Sequence, residues 1–173
     1  WILALLAAII YGFPSHGMKV IGVTGTKGKS TVSYMIARIF QEQKAGIAMI
    51  GSLGYIINDV TWPNPLKNSM PGRFKMQKFL RQAKSAGVKY VVIEVTSEGI
   101  KQHRLDWIKV DCAVFTNLHK EHIESHGSFE NYLEAKKALF KKTKNIHIIN
   151  CENQYSDEFV NIPSKKLVTF GLK

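Results

Sequence analysis

The stretch Val20-Ile-Gly-Val-Thr-Gly-Thr-Lys-Gly-Lys-Ser-Thr31 decides the fold. An apolar run ends in a glycine-rich turn, and an amphipathic segment follows it. This order predicts a strand, a phosphate-binding loop and a helix, because glycines let backbone N–H groups surround an anion and a helix N-terminus adds partial positive charge. Lys29 is then expected to reach the outer phosphates, and the Ser30 hydroxyl is expected to hold Mg²⁺.

The loop departs from the common pattern G-x-x-x-x-G-K-[ST] at one position. Val23 stands where the first glycine belongs, and Gly22 and Gly25 are at the wrong spacing. We therefore interpret the stretch as a variant phosphate loop. A chance turn of glycine and lysine is the alternative.

Length and the apolar start bound the domain organisation. At 173 residues the chain is one domain or part of one, and both ends look cut. Residues 1–17 are expected to form an apolar linker helix, and residues 18–173 a separate domain. The uncharged run from Trp1 to Tyr11 is shorter than the roughly 20 residues of a membrane helix, so no transmembrane span is expected. A remnant of a membrane-associated segment is the alternative.

The formal net charge of +11 favours a polyanionic partner, either a phosphorylated substrate or nucleic acid. No aromatic-rich RNA motif or zinc finger accompanies the charge, so nucleic acid is not expected as a partner. A solvated basic helix face is the alternative explanation. Part of the excess comes from the lysines Lys136, Lys137, Lys141, Lys142, Lys144, Lys165 and Lys166.

The two cysteines, Cys112 and Cys151, lack the C-x-x-C spacing of a metal or redox site. We expect both to be buried, reduced thiols in a cytoplasmic protein. We also expect the protein to be a monomer.

Apolar runs alternate with amphipathic segments, which predicts an α/β fold with a mostly parallel, doubly wound sheet and helices on both faces. The predicted strands are Lys19–Thr24, Ile47–Ile50, Tyr90–Val95, Cys112–Asn117, Ile146–Asn150 and Leu167–Phe170, with a short strand at Gly54–Asn58. The predicted helices are Lys29–Gln43, Arg73–Ala86, Phe129–Lys142 and Asp157–Val160.

Three features refine this prediction. Gly87 is expected to end the second helix and Ser128 to cap the third. The segment Gly51–Gly72 is long enough to carry function. The apolar residues of the first helix share one face and are expected to be core, namely Val32, Met35, Ile36, Ile39 and Phe40.

Glu94 ends the hydrophobic run of Val91-Val-Ile-Glu-Val-Thr-Ser97. A lone carboxylate is costly to bury, but its burial becomes favourable when it binds a hard cation. Ligands of doubly wound sheets bind at the carboxyl ends of the strands, so Glu94 is expected on the same edge as the phosphate loop. Pairing of Glu94 with a lysine is the alternative.

A histidine-rich segment, Phe115-Thr-Asn-Leu-His-Lys-Glu-His-Ile-Glu-Ser-His-Gly127, also follows a predicted strand. A zinc site could be drawn from its side chains. Because the segment starts at the edge that faces the phosphates, Mg²⁺ with one histidine ligand is the favoured interpretation, and structural roles are the other alternative. The candidates are His119, Glu121, His122, Glu124 and His126.

Together these segments resemble the central ATP-binding domain of the Mur ligases, the ATP-dependent amide-forming enzymes of peptidoglycan synthesis. The resemblance is nearest to the branch that adds the third peptide residue, and it runs from about Lys19 to about Asn153. Its motifs are VTGTKGKST, EVTS, QHR, FTNL followed by EH and HG, and YLEAKKALF followed by IIN. Any one is weak, but their order and spacing make a specific signal.

The resemblance implies an ATP site at the loop. The family loop reads TGTNGKT, so Lys27 replaces the usual Asn, and Ser30 replaces the usual Thr while keeping its hydroxyl. The missing first glycine is a trait of the family. The residues expected to bind ATP are Thr24, Gly25, Thr26, Lys27, Gly28, Lys29, Ser30 and Thr31.

The resemblance also implies a magnesium site. Glu94 matches the family's Mg²⁺-binding glutamate, and His122 matches the histidine of its Asp-His pair, with Glu121 in place of the aspartate. Lys136 matches the lysine that these enzymes carbamylate, which turns a cation into an anion able to position Mg²⁺. Lys137 is the competing candidate, but the A-K-x-x-L-[FY] register favours Lys136.

The substrate half matches the family less well. Ser69 and Met70 align with a Thr-Thr pair that contacts the UDP-muramoyl-peptide, and Met70 cannot supply the second hydroxyl. Glu98 stands where a histidine is common. The remaining positions that contact this substrate are matched by Thr96, Gln102 and Arg104.

The implied activity is ATP-dependent amide formation between a UDP-muramoyl-peptide and an amino acid. The γ-phosphate passes to the acceptor carboxylate, and the amine then attacks the acyl phosphate, with Lys29, Glu94, His122 and Lys136 as the catalytic set. The alternatives are a folylpolyglutamate- or cyanophycin-synthetase-like ligase, or a non-catalytic nucleotide- or nucleic-acid-binding module. Family members also carry N- and C-terminal domains, so these 173 residues alone are expected to be inactive.

Overall fold

A computed structural model describes residues 1–64, 68–119 and 127–172. The strands within these residues are β1 (Lys19–Thr24), β2 (Ile47–Gly51), β3 (Gly54–Ile57), β4 (Val60–Trp62), β5 (Tyr90–Glu94), β6 (Cys112–Phe115), β7 (Ile146–Asn150) and β8 (Lys166–Phe170). They form one sheet in the order β4-β3-β2-β5-β1-β6-β7-β8. The strands from β2 to β8 in this order run parallel, and β3 and β4 add an antiparallel hairpin.

Helices cover both faces of the sheet. They are α1 (Ile2–Tyr11), α2 (Lys29–Glu42), α3 (Arg73–Ser85), α4 (Ser97–Lys101), α5 (Phe129–Lys142) and α6 (Asp157–Val160). Side chains alternate along each strand, so Val91 and Ile93 pack in the core with α3 and α5, whereas Val92 packs in the core with α2. The predicted doubly wound α/β fold is confirmed.

Two short elements were not predicted, and several predicted strand ends differ from the structure by one or two residues. β4 has three residues and α4 has five, which is too short for a clear hydrophobic period. β5 ends at Glu94, one residue earlier than predicted. β6 ends at Phe115, two residues earlier than predicted, because Thr116 and Asn117 bond to the loop after β1 instead of continuing the strand.

The predicted core face of α2 is only partly right. Val32, Ile36 and Phe40 pack against the core, and Ala37 is fully buried. Met35 and Ile39, however, are 57% and 55% exposed. The apolar face of α2 is wider than the surface that contacts the core. The helix packs through the side of that face that carries small residues.

Both predicted helix ends are confirmed. Gly87 follows α3 with φ +72°, and the next N–H, of Val88, donates to the Ala83 carbonyl, which is the pattern of a glycine-ended helix. The Ser128 hydroxyl accepts from the Asn131 N–H at the start of α5. Local sequence is sufficient for these features because their partners are three to five residues away.

Helix α1 packs on α3 through alanines. Ala4, Ala7 and Ala8 are buried, while Ile2, Leu6 and other large side chains of the opposite face are exposed. Within the described residues, no helix combines the length and the apolar character needed to cross a membrane.

The cysteines differ in burial. Cys112 is buried, and its burial, with the Asp111 charge, raises the pKa of its thiol to about 11. Cys151 is exposed, contrary to the expectation that both are buried. It follows β7 at the surface, where its Sγ donates to the Phe170 carbonyl of the edge strand β8.

Candidate functional site

Four neighbouring strands deliver polar residues to one edge of the sheet. The glycine-rich loop follows β1, Ser52 follows β2, Glu94 ends β5, and Thr116 and Asn117 follow β6. These strands lie side by side in the order β2-β5-β1-β6, so their carboxyl ends meet. We call Thr24–Ser30, Ser52, Glu94 and Lys136 the loop cluster.

The loop runs directly from the sheet into a helix N-terminus. Thr24 ends β1 and is buried, and α2 begins at Lys29 after Gly28, which has φ +78°. A Cβ added at Gly25 would lie 1.9 Å from Thr116 Oγ1, so this glycine permits close packing of the loop on the neighbouring strand exit. Thr31 is exposed in the first turn of α2.

Residues after β6 hold the loop in place. The Thr26 N–H donates to the Asn117 carbonyl (2.9 Å), and the Lys27 N–H donates to Asn117 Oδ1 (2.9 Å). The Lys27 carbonyl accepts from Thr116 Oγ1 (2.8 Å) and Asn117 Nδ2 (3.1 Å). The sequence analysis missed Asn117, although a Thr-Asn pair beyond a strand end was the available signal.

Glu94 is 2% exposed and is surrounded by hydroxyl groups. Its Oε1 accepts from Ser30 Oγ (2.9 Å), and its Oε2 accepts from the Ser52 N–H (2.8 Å) and Ser52 Oγ (3.0 Å). The contacts that the described residues show for Glu94 are two hydroxyls and one backbone N–H. A buried carboxylate with two hydroxyls is a set of hard oxygen donors that suits Mg²⁺.

Two lysines converge on one carbonyl of the loop. Lys29 Nζ donates to the Gly25 carbonyl (3.0 Å) and the Thr26 carbonyl (2.9 Å). Lys136 Nζ donates to the same Gly25 carbonyl (2.8 Å) and lies 4.5 Å from the centroid of the Tyr132 ring. The α5 helix therefore delivers Lys136 to the phosphate loop.

Burial makes Lys136 unlike its neighbour. Lys136 is 1% exposed, and this burial, with the nearby Lys29 charge, lowers the pKa of its amine to about 7. Lys137 instead bonds to Glu158 (2.8 Å) and Glu134 (2.9 Å), which raise the pKa of its amine. A neutral amine at the loop is thus available only at Lys136 of this pair.

A second group of predicted residues forms around α4. We call Ser69, Met70, Thr96, Gln102 and Arg104 the α4 cluster. Arg104 donates through Nη1 to the Met70 carbonyl and through Nε to Gln102 Oε1 (3.0 Å). The Thr96 hydroxyl caps α4 by accepting from the Gly99 N–H (3.0 Å), and Ser69 is half-buried beside Met70.

The Met70 side chain lies in the core. It is 0% exposed, and a Cβ added at Gly99 would lie 2.3 Å from its Sδ. In this conformation the Met70 side chain is not available to a ligand. A cavity of about 330 Å³ opens beside this segment, lined by Tyr55, Asn64, Asn68, Pro71, Arg73 and Phe74 among others.

The histidine segment is described only at its start. His119 donates its N–H to Thr26 Oγ1 (3.0 Å). The predicted ligand His122, together with Glu121, Glu124 and His126, lies outside the described residues. Residues 1–64, 68–119 and 127–172 contain no group of three or more His, Cys, Asp or Glu side chains that could hold a metal.

The chain is similar to ligases of known sequence and structure. The 2,6-diaminopimelate-adding UDP-N-acetylmuramoyl-L-alanyl-D-glutamate ligase of Caldanaerobacter subterraneus subsp. tengcongensis is 34% identical over 171 residues, which is 99% of this chain and 35% of the relative. A solved structure of a ligase with that same name aligns with TM-score 0.79 and 30% identity, over 90% of this chain and 32% of the other. The chain spans about a third of the length of these relatives.

A more distant structure shares the fold. E. coli FolC, solved with DHPP and ADP, aligns with TM-score 0.74 and 17% identity, over 98% of this chain and 46% of FolC. At that identity the likeness shows the fold alone. Residues 23–173 match the family model of the Mur ligase middle domain. The chain therefore belongs to the Mur ligase middle domain family.

Proposed function

We propose that this chain is the nucleotide-binding part of an ATP-dependent ligase that extends a UDP-muramoyl-peptide by one amino acid. The observation that carries the proposal is the loop cluster, in which a buried carboxylate and a buried lysine meet at a glycine-rich loop and a helix N-terminus. Burying two ionisable groups lowers the free energy of unfolding. Their burial beside an anion-binding loop is explained if they bind phosphates and a cation.

The loop residues divide the work of phosphate binding. Backbone N–H groups at the start of α2 face the anion, and Lys29 exchanges its contacts with the loop carbonyls for the outer phosphates. Most of the rate enhancement then comes from positioning and from neutralising negative charge. No side-chain nucleophile is required.

Ser30 and Glu94 are the described residues that would hold Mg²⁺, and Ser52 joins them through Glu94. We place His122 in the same set on the resemblance of its motif. The bound ion would offset phosphate charge during transfer. Serine and glutamate oxygens suit this ion better than zinc.

Lys136 is proposed to carry a carbamate. Carbamylation, in which the neutral amine attacks CO₂ and releases a proton, requires an unprotonated lysine. Burial near Lys29 lowers the pKa of Lys136 to about 7, so a large neutral fraction exists at neutral pH. The resulting anion would relieve the repulsion between two cations that share the Gly25 carbonyl. Lys137, which is ion-paired, lacks this property.

The acceptor is proposed to be UDP-N-acetylmuramoyl-L-alanyl-D-glutamate, the substrate in the relatives' names. Its carboxylate takes the γ-phosphoryl group while ADP leaves. The incoming amine then attacks the acyl carbon, phosphate leaves, and the amine loses its proton. The α4 cluster is the proposed contact surface, with Arg104 and Gln102 as anion- and amide-binding groups.

The activity test uses the longest natural protein that contains these 173 residues. It is supplied with ATP, Mg²⁺, the UDP-muramoyl-dipeptide and single amino acids, and phosphate release is measured together with the mass of the product. We expect a mass increase of one amino-acid residue and one phosphate per amide. Phosphate release with a folate or another carboxylate, but not with the muramoyl substrate, would overturn the peptidoglycan assignment.

The remaining expectations follow from ATP use. We propose the cytoplasm as the working compartment, because ATP and UDP-linked substrates are found there, and a monomer as the working form. Nucleic-acid binding is the competing use of the +11 charge, and it would weaken steeply with salt. Unchanged nucleic-acid binding in a Glu94→Ala variant that has lost ATP binding would favour that competitor.

A further inference from the structure

We propose that Tyr132 is a positioning residue that holds the phosphate loop and Lys136 in one arrangement. The inference rests on the nucleotide site proposed above. Tyr132 lies in the first turn of α5 and is 2% exposed. A side chain this buried acts on a ligand through its neighbours.

Tyr132 contacts the loop and the lysine at the same time. Its hydroxyl lies 3.0 Å from Thr26 Oγ1, and its ring lies under Lys136 Nζ at 4.5 Å. Residues four apart share a helix face, so one face of α5 presents both the hydroxyl and the lysine to the loop. The ring packs against the end of the Lys136 side chain and limits where that side chain can lie.

Thr26 links this contact to a third segment. Its Oγ1 also accepts from the His119 N–H (3.0 Å), and its own N–H donates to the Asn117 carbonyl (2.9 Å). The loop is therefore held between α5 on one side and the segment after β6 on the other. Loss of the tyrosine hydroxyl removes the contact that holds the loop on the α5 side.

These contacts matter because they hold the loop in one conformation before phosphate binds. A loop that must be ordered on binding loses affinity, whereas a preorganised loop does not. Tyr132→Phe removes only the hydroxyl and leaves the ring under Lys136. We expect the Kd for Mg·ADP, measured by calorimetry on the longest natural protein that contains these residues, to rise about fivefold, the effect of one net hydrogen bond.

A double-mutant cycle separates positioning from general stability. Thr26→Val removes the same bond from the loop side, so the double variant Tyr132→Phe/Thr26→Val is expected to bind no more weakly than Thr26→Val alone. Tyr155→Phe is the matched control, since its ring packs against α5 through Phe129 at 4.9 Å and away from the loop.

Two outcomes overturn the inference, and they are distinguishable. Equal Kd values for wild type and Tyr132→Phe, or additive losses in the double variant, refute the role of Tyr132 while the proposed function stands. Absence of Mg·ADP binding to the wild-type chain refutes the proposed nucleotide site and the inference together. If Tyr132→Phe does not fold, as judged by circular dichroism, Thr26→Val tests the contact from the loop side. Because this variant also loses the bond from the His119 N–H, its Kd for Mg·ADP is expected to rise at least fivefold, and an unchanged Kd refutes the inference.

Discussion

The loop cluster and the α4 cluster are built in different ways. In the loop cluster, four strand ends converge, and the two ionisable groups Glu94 and Lys136 are almost completely buried. In the α4 cluster, Arg104 donates to the Gln102 side chain and to the Met70 carbonyl, and Gln102 and Arg104 remain partly exposed. The difference indicates that converging strand ends fix the first cluster, whereas a few side-chain hydrogen bonds at the surface hold the second.

The largest effect is expected from Glu94→Gln. The amide keeps the shape but offers one acceptor where the carboxylate has two, and it removes the charge that suits Mg²⁺. We expect kcat of the full-length protein to fall roughly 10²–10³-fold, the several kcal/mol that a catalytic metal supplies. Steady-state kinetics over a Mg²⁺ titration measures this.

Glu98→Gln is the control for that change. Glu98 is an exposed carboxylate of α4 that accepts from Gln102 Nε2 (2.6 Å). The same substitution there is expected to leave kcat and the Mg²⁺ requirement unchanged. Equal losses of kcat in both variants would show that the buried and the exposed carboxylate contribute alike, which would contradict the described difference between the two clusters.

The second effect concerns the pH dependence of stability. Lys136 has its pKa lowered from 10.5 to about 7 by burial and by Lys29, so between these values the unfolded chain holds a proton that the folded chain has released. The free energy of unfolding therefore rises with pH in this window, by about 2 kcal/mol between pH 7 and pH 9. Lys136→Met is expected to remove that rise, as measured by urea unfolding in CO₂-depleted buffers.

Lys137→Met supplies the comparison for Lys136. Lys137 has a raised pKa because of Glu158 and Glu134, so its contribution is present below the ordinary lysine pKa and is lost only above it. The variant is expected to keep the wild-type slope between pH 7 and pH 9. A wild-type slope in Lys136→Met would contradict the charge assignment at the loop.

The third effect tests whether Met70 is core or surface. Met70→Thr places a hydroxyl without a partner in the core and removes buried volume, so we expect a loss of about 2 kcal/mol in the free energy of unfolding. The KM for the muramoyl substrate is expected to stay unchanged. Thermal unfolding and substrate titration together measure the two effects.

Met35→Thr makes the same chemical change on an exposed position of α2. It is expected to alter stability by less than about 0.5 kcal/mol. A lower KM in Met70→Thr, with little loss of stability, would mean that this side chain reaches the substrate after all.

These pairs of variants also show which features of the site could be predicted from the sequence. The loop and Glu94 were predicted because motifs at strand ends identify them locally, whereas Lys136 was predicted only from the resemblance to the Mur ligases. Ser52 and Asn117 were missed because their partners lie 42 and 90 residues away in the chain. The helical periodicity predicted the apolar face of α2 but not which side of that face packs against the core, so Met35 and Ile39 were assigned to the core. The burial of Met70 depends on space left by Gly99, which no local pattern reveals.

The smallest effect is expected from Arg104→Lys. Arginine donates in two directions at once, through Nη1 to the Met70 carbonyl and through Nε to Gln102, and a lysine cannot reproduce this planar fork. We expect the KM for the muramoyl substrate to rise about tenfold, as for one lost charged hydrogen bond, with the KM for ATP unchanged. Arg38→Lys on α2, where the arginine bonds only to Gln41 and Glu42 in the described structure, is expected to change neither KM. If Arg104 acts independently of the loop, only the KM for the muramoyl substrate changes. A rise in the KM for ATP as well would mean that the α4 cluster and the loop cluster act as one site.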